Sequence, residues 1–149
     1  MISKILLPTD FSEVSDRAID FIINLKGCGA KDVVLLHVLD NMHISHLEHY
    51  TSQYTEFAPI MKKLEDDTAS ALDKAAEKLE KEGFQVKTRM ERGTPFSEIL
   101  RVEKEEGVSI IVIGSHGKSN IAEMLLGSVS EKVVRKAKNP VVLVKRQTP

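Results

Sequence analysis

Two short groups of residues carry the chemistry of this sequence. Gly114-Ser-His-Gly117 is followed after nine residues by Gly127-Ser128-Val129-Ser130. The apolar run Ile110-Ile111-Val112-Ile113 leads into the first group, and a helical pattern over residues 128–137 leaves the second. A strand, a glycine-rich turn and a helix N-terminus in that order build an anion site. The first amides of a helix have no intrahelical acceptor, and the helix dipole adds partial positive charge there. Glycines let the backbone approach phosphate oxygens with no Cβ in the way, and Ser128 and Ser130 add hydroxyl donors. The ligand implied carries phosphates.

Other candidates are weaker. Gly117-Lys118-Ser119 imitates part of a P-loop, but that pattern needs glycine at position 112, where Val112 stands. His43, His46 and His49 are spaced by three, which on a helix spreads them over about 120° of arc. No cysteine or close carboxylate pair completes a zinc set with them, so no metal is expected there. His116 has no evident nucleophile or orienting acid, so it reads as a phosphate or solvent contact and no catalytic residue is assigned. His37 ends a buried strand and reads as a near-core histidine with a backbone partner. Cys28, the single cysteine, lies between Gly27 and Gly29 and reads as a turn residue. One cysteine allows no intrachain disulfide, which fits a reducing cytoplasm.

The elements that position these residues follow from periodicity. Ile5-Leu6-Leu7 is a short strand ending at Pro8-Thr9-Asp10. Ala18, Phe21, Ile22 and Leu25 recur at helical spacing, from a start near Ser12 to a stop at Gly27. Residues 33–38 form a second buried strand. Residues 39–56 show no clean period and read as a polar, partly mobile insertion over the crevice. Leu64, Ala71, Leu72, Ala75 and Leu79 stripe a long helix that stops at Gly83, and residues 84–91 alternate as a half-buried strand. Thr94-Pro95 reads as an N-cap with proline at the first helical position. Strand 110–113, the helix from Ser128 and strand Val141-Val-Leu-Val144 complete the pattern. The charged runs 77–82 and 101–106 read as solvated helix faces.

Alternating helices and apolar strands imply a parallel sheet covered on both faces, with a ligand beyond the strands' carboxyl ends. The loops after strands one, two and four would open on one crevice. Asp10 is the carboxylate a loop places there. It could instead cap the first helix, but Ser12 is available for that, so ligand contact is the reading taken. The 149 residues read as one domain (1–149) with a net charge of −1, which favours neither nucleic acid nor a membrane surface. No stretch has the length of a membrane span.

Pro8-Thr9-Asp10-Phe11-Ser12 after the first strand, His37-Val38 at the end of the second, and the G-x2-G-x9-G-[ST] spacing after the fourth resemble a universal stress protein. The likeness runs from Lys4 to Lys145 and, through Gly114, Gly117, Gly127 and Ser128, points to the ATP-binding branch. It implies a Rossmann-like, doubly wound five-stranded parallel sheet of order 3-2-1-4-5. It implies ATP, or ADP or AMP, with Mg²⁺ or Mn²⁺ carried on the phosphates. Pro8, Thr9 and Asp10 would flank adenine and ribose, and Val38 would meet adenine through its backbone. Ile113 and Gly114 would line the ribose and α-phosphate. Gly117, Gly127, Ser128, Val129 and Ser130 would cradle the phosphates. It also implies a homodimer through residues 141–144 and an unidentified protein partner. The function expected is a cytoplasmic stress-response switch. A slow ATP hydrolase or adenylyl-transfer enzyme, and a dimeric scaffold with structural or no nucleotide, stay open as alternatives.

Overall fold

The computed structural model describes residues 1–54, 56–116 and 126–146. Five strands, β1 (Lys4–Pro8), β2 (Asp32–Asp40), β3 (Gln85–Gly93), β4 (Ile110–Gly114) and β5 (Val141–Val144), pair in parallel in the order β3-β2-β1-β4-β5. Among the described residues, five α-helices connect them: α1 (Glu13–Asn24), α2 (Asn41–Tyr54), α3 (Phe57–Lys81), α4 (Pro95–Glu106) and α5 (Ser128–Lys136).

The alternation of side chains along the strands builds two cores. Ile5, Leu7, Val33, Leu35 and Val112 point to one face, against Ala18, Ile19 and Ile22 of α1 and Leu72, Ala76 and Leu79 of α3. Leu6, Val34, Leu36, Ile111 and Ile113 point to the other, against Ile99 and Val102 of α4 and Val133 of α5. Each such aliphatic side chain taken out of water contributes about 1.5–3 kcal/mol. The central strand is β1, flanked by β2 and β4, so the chain reverses its winding there and opens a crevice at the carboxyl ends of β1 and β4.

Residues 41–54 are helical, not an irregular insertion. Helix α2 lies on β2 and α3, with Ile44 packed between Leu39 and Met61 and Thr51 buried. His43, His46 and His49 sit on its exposed side. Thr94 occupies the cap position of α4, with Pro95 first in the helix, but its side chain makes no capping hydrogen bond. The run 101–106 is not wholly solvated either. Glu103 is buried and accepts from the Lys138 and Asn139 amides and the Asn139 side chain at 2.8–3.0 Å. Glu106, 7% exposed, pairs with Lys4, Lys87 and Arg89 at 2.7–3.1 Å.

Candidate functional site

A cavity of about 230 Å³ opens in the crevice between the two halves of the sheet. Its lining includes Pro8, Thr9, Asp10, Val38, Ile113, Gly114, Gly127, Ser128, Val129 and Ser130, all singled out from the sequence. Gly117, with Lys118 and Ser119, lies outside the described residues. Ser15, Leu36, His37, Pro95, Ile99 and His116 share the lining. Of these, neither Ile99 nor Ser15 carries a sign of a site in the sequence. Pro95 shows in the sequence only as the first residue of a helix, and the structure brings that helix start to the cavity.

The floor of the cavity is the start of α5. Gly127 is its cap residue and has no side chain to offer the helix. The Gly127 amide donates to the Ser115 carbonyl at 2.7 Å, and the helical bonding resumes with the Glu131 amide on the Gly127 carbonyl. The amides of Ser128, Val129 and Ser130 therefore stand at the positions that a helix leaves without acceptors. With the dipole, they make the cavity floor electropositive.

One sequence expectation changes here, and one glycine gains a second role. Ser130 is buried, and its hydroxyl donates to the Gly114 carbonyl at 2.6 Å. Its proton ties α5 to the end of β4 instead of facing the cavity, so its backbone amide is what it offers an anion. Gly114 also has a packing reason to be glycine. A Cβ there would lie 2.8 Å from Val14 Cγ1, so the missing side chain lets α1 sit close against β4.

The wall opposite is the β1–α1 loop. Ser12, not Asp10, caps α1, its hydroxyl accepting from the Ser15 amide. Asp10 Oδ1 accepts from the Ser12 amide at 3.0 Å and the Ser15 hydroxyl at 2.9 Å. Both bonds fall on one oxygen, and Oδ2 accepts none from the described residues. Asp10 is the one carboxylate among the described lining residues. The Thr9 carbonyl accepts from His37 Nδ1 at 2.7 Å, the backbone partner anticipated for that histidine. His116 Nδ1 meets the Ser115 hydroxyl at 2.9 Å at the rim.

A parallel sheet wound on both sides, with a helix start uncapped by any described side chain and a braced carboxylate lining one cavity at the switch point, defines a doubly wound α/β domain with a crevice suited to an anion. The chain belongs to the universal stress protein family, whose family model matches residues 1–145. Universal stress protein MJ0577 of Methanocaldococcus jannaschii is 38% identical, with 99% of this chain and 97% of that one aligned. The solved MJ0577 structure superposes with a TM-score of 0.88 at 39% identity, over 100% of this chain and 99% of that chain. Universal stress protein YxiE of Bacillus subtilis is 32% identical over 97% of this chain and 100% of its own. A universal stress protein solved in complex with cAMP shares the fold, with a TM-score of 0.66 at 24% identity over 97% of each chain.

Proposed function

We propose that this chain is an ATP-binding regulatory module of the stress response, with the nucleotide held in the switch-point crevice. The observation that carries the reading is the start of α5, uncapped by any described side chain, lining the same cavity as the Asp10 carboxylate. Three amides with no acceptor among the described residues suit phosphate oxygens, while a carboxylate oxygen with spare lone pairs suits ribose hydroxyls. Val38 would meet the adenine edge through its backbone, and Ile113 and Gly114 would line the ribose and first phosphate. The relative whose structure holds cAMP supports an adenine nucleotide over other phosphates. Mg²⁺ or Mn²⁺ would enter on the phosphate oxygens. Among the described residues no group of three His, Cys, Asp or Glu side chains could hold a metal by itself.

A switch follows only if ATP binds two states of the protein unequally. We place that difference at Gly114 and Gly127, which the phosphates would both touch. We further propose a cytoplasmic homodimer joined through the free edge of β5, with a protein partner that reads the nucleotide state. No described helix is long and apolar enough to cross a membrane.

Replacing Gly127 tests the site. Its backbone, at φ −69° and ψ 158°, accepts any residue. Gly127→Val should fold and should lose ATP affinity at least about ten-fold, equivalent to about 1.4 kcal/mol, because the side chain enters the phosphate path. Isothermal titration of the folded variant with ATP and Mg²⁺ reads this directly. Affinity equal to that of the unsubstituted protein would remove the phosphates from this site.

A further inference from the structure

The His37 imidazole takes a place in the sheet that a backbone amide should hold. The register pairs Pro8 with Leu36, and the Thr9 amide donates to the Leu36 carbonyl at 2.8 Å. In a parallel ladder this parity sends the next bond from the Val38 amide to the Thr9 carbonyl. That bond is absent among the described residues. The Thr9 carbonyl instead accepts from His37 Nδ1 at 2.7 Å, so Nδ1 carries the proton, since a carbonyl only accepts. The same parity directs the backbone of Val38 toward β1, which has already ended, and hence into the cavity that Val38 lines.

Neighbouring groups hold the ring in place. Phe11 stacks on it with centroids 4.8 Å apart and planes at 29°. Phe11 adopts φ 64°, a left-handed conformation that bulky residues avoid. The turn is held by the Phe11 amide on the Thr9 hydroxyl at 3.0 Å and by the Ser12 amide on Asp10. A strained aromatic thus packs on the imidazole as well as on the core.

We infer that His37 is a specificity-determining positioning residue: by occupying the Thr9 carbonyl, its ring stops the β1–β2 ladder from closing and keeps the Val38 amide available to the edge of a ligand's base. This rests on the proposed nucleotide reading, in which Val38 faces the base. Without the ring, the Thr9 carbonyl would draw the Val38 amide to itself, and the base would lose its donor while the phosphates kept theirs.

The test compares His37→Leu with His37→Asn, whose side-chain amide reaches the position of Nδ1. Amide hydrogen exchange at Val38, read by NMR without nucleotide, probes the ladder itself. Exchange should be fast in the unsubstituted protein and in His37→Asn, and at least about ten-fold slower in His37→Leu. Equal exchange in all three overturns the inference whatever the ligand proves to be. Titrations with ATP and inorganic tripolyphosphate probe the consequence. His37→Leu should lose about ten-fold or more in ATP affinity and none for tripolyphosphate, and His37→Asn should restore most of the loss. An equal loss for both ligands would make His37 merely structural and overturn the specificity claim. If the unsubstituted protein bound neither ligand, the nucleotide reading would fall, while the exchange result would still decide what His37 does to the ladder.

Discussion

At the scale of single residues, glycine and serine hold more than one office. Gly114 is read most simply as a phosphate-approach glycine, yet Val14 lies where its Cβ would go. Gly114→Ala should therefore cost about 1–3 kcal/mol in urea unfolding, the usual penalty for overpacking. Val14→Ala alone leaves a cavity, but in the double variant the new methyl group fills part of it. The two changes together should cost less than the sum of the singles by about 1 kcal/mol or more. Additive losses would deny the contact. Gly127 gives a different kind of forecast. An aspartate there would cap α5 and meet its dipole, so Gly127→Asp should raise stability by a few tenths to about 1 kcal/mol. The same carboxylate would occupy the proposed phosphate floor, so ATP affinity should fall as the melting temperature rises. Movement of both in the same direction would contradict the assignment of that floor.

At the scale of elements, α4 is fastened to the sheet by charge as well as by Ile99 and Val102. The Lys87 ammonium, ahead of Lys4 and Arg89, holds the Glu106 carboxyl down to about 2, with burial opposing them. A depressed carboxyl contributes stability that is fully present above its unfolded value of 4.5 and is lost as pH falls through about 2. Glu106→Gln should thus destabilise by about 1–3 kcal/mol at pH 7. The difference from the unsubstituted protein should shrink between pH 4.5 and pH 2, which denaturant curves across that range would show. A gap independent of pH would mean that Glu106 acts by packing alone. This cluster was not legible in the sequence, because interleaved charges on a helix look alike whether they face water or the lysines and arginine of neighbouring strands. Strands and the remaining helices were legible because their apolar residues alone fix period and face. Helix α2 was not. Its inward residues Ile44, Leu47 and Thr51 make a narrow stripe that has meaning only once Leu39 and Met61 are beside it. The anion-suited end of the cavity was readable from glycine spacing, whereas the Thr9–His37 bond depends on a register that only pairing reveals.

At the scale of the whole molecule, the sheet has two edges and treats them differently. Edge β3 carries Lys87, Arg89 and Arg92, charges that discourage further pairing. Edge β5 is Val141-Val-Leu-Val144, with no charge at all. Its side chains are already engaged, Val142 with one core and Val141 and Leu143 with the other. What it offers a second copy is therefore mainly backbone. The Ile111 amide donates to the Pro140 carbonyl and the Ser115 amide to the Val144 carbonyl. That parity turns the backbone of Val142 and Val144 toward β4 and the backbone of Val141 and Leu143 away from it, where no described strand pairs with them. An antiparallel partner strand would use those two residues. Val141→Pro removes one outward donor, leaves the β4 ladder its bonds, and follows Pro140 at the start of the strand, where proline is tolerated. Sedimentation equilibrium should show the unsubstituted protein as a dimer and Val141→Pro dissociating at protein concentrations at least ten-fold higher, with thermal stability at high concentration little changed. A monomer at every concentration in the unsubstituted protein, or a variant that dimerises as tightly, would leave the β5 edge without a partner of its own kind.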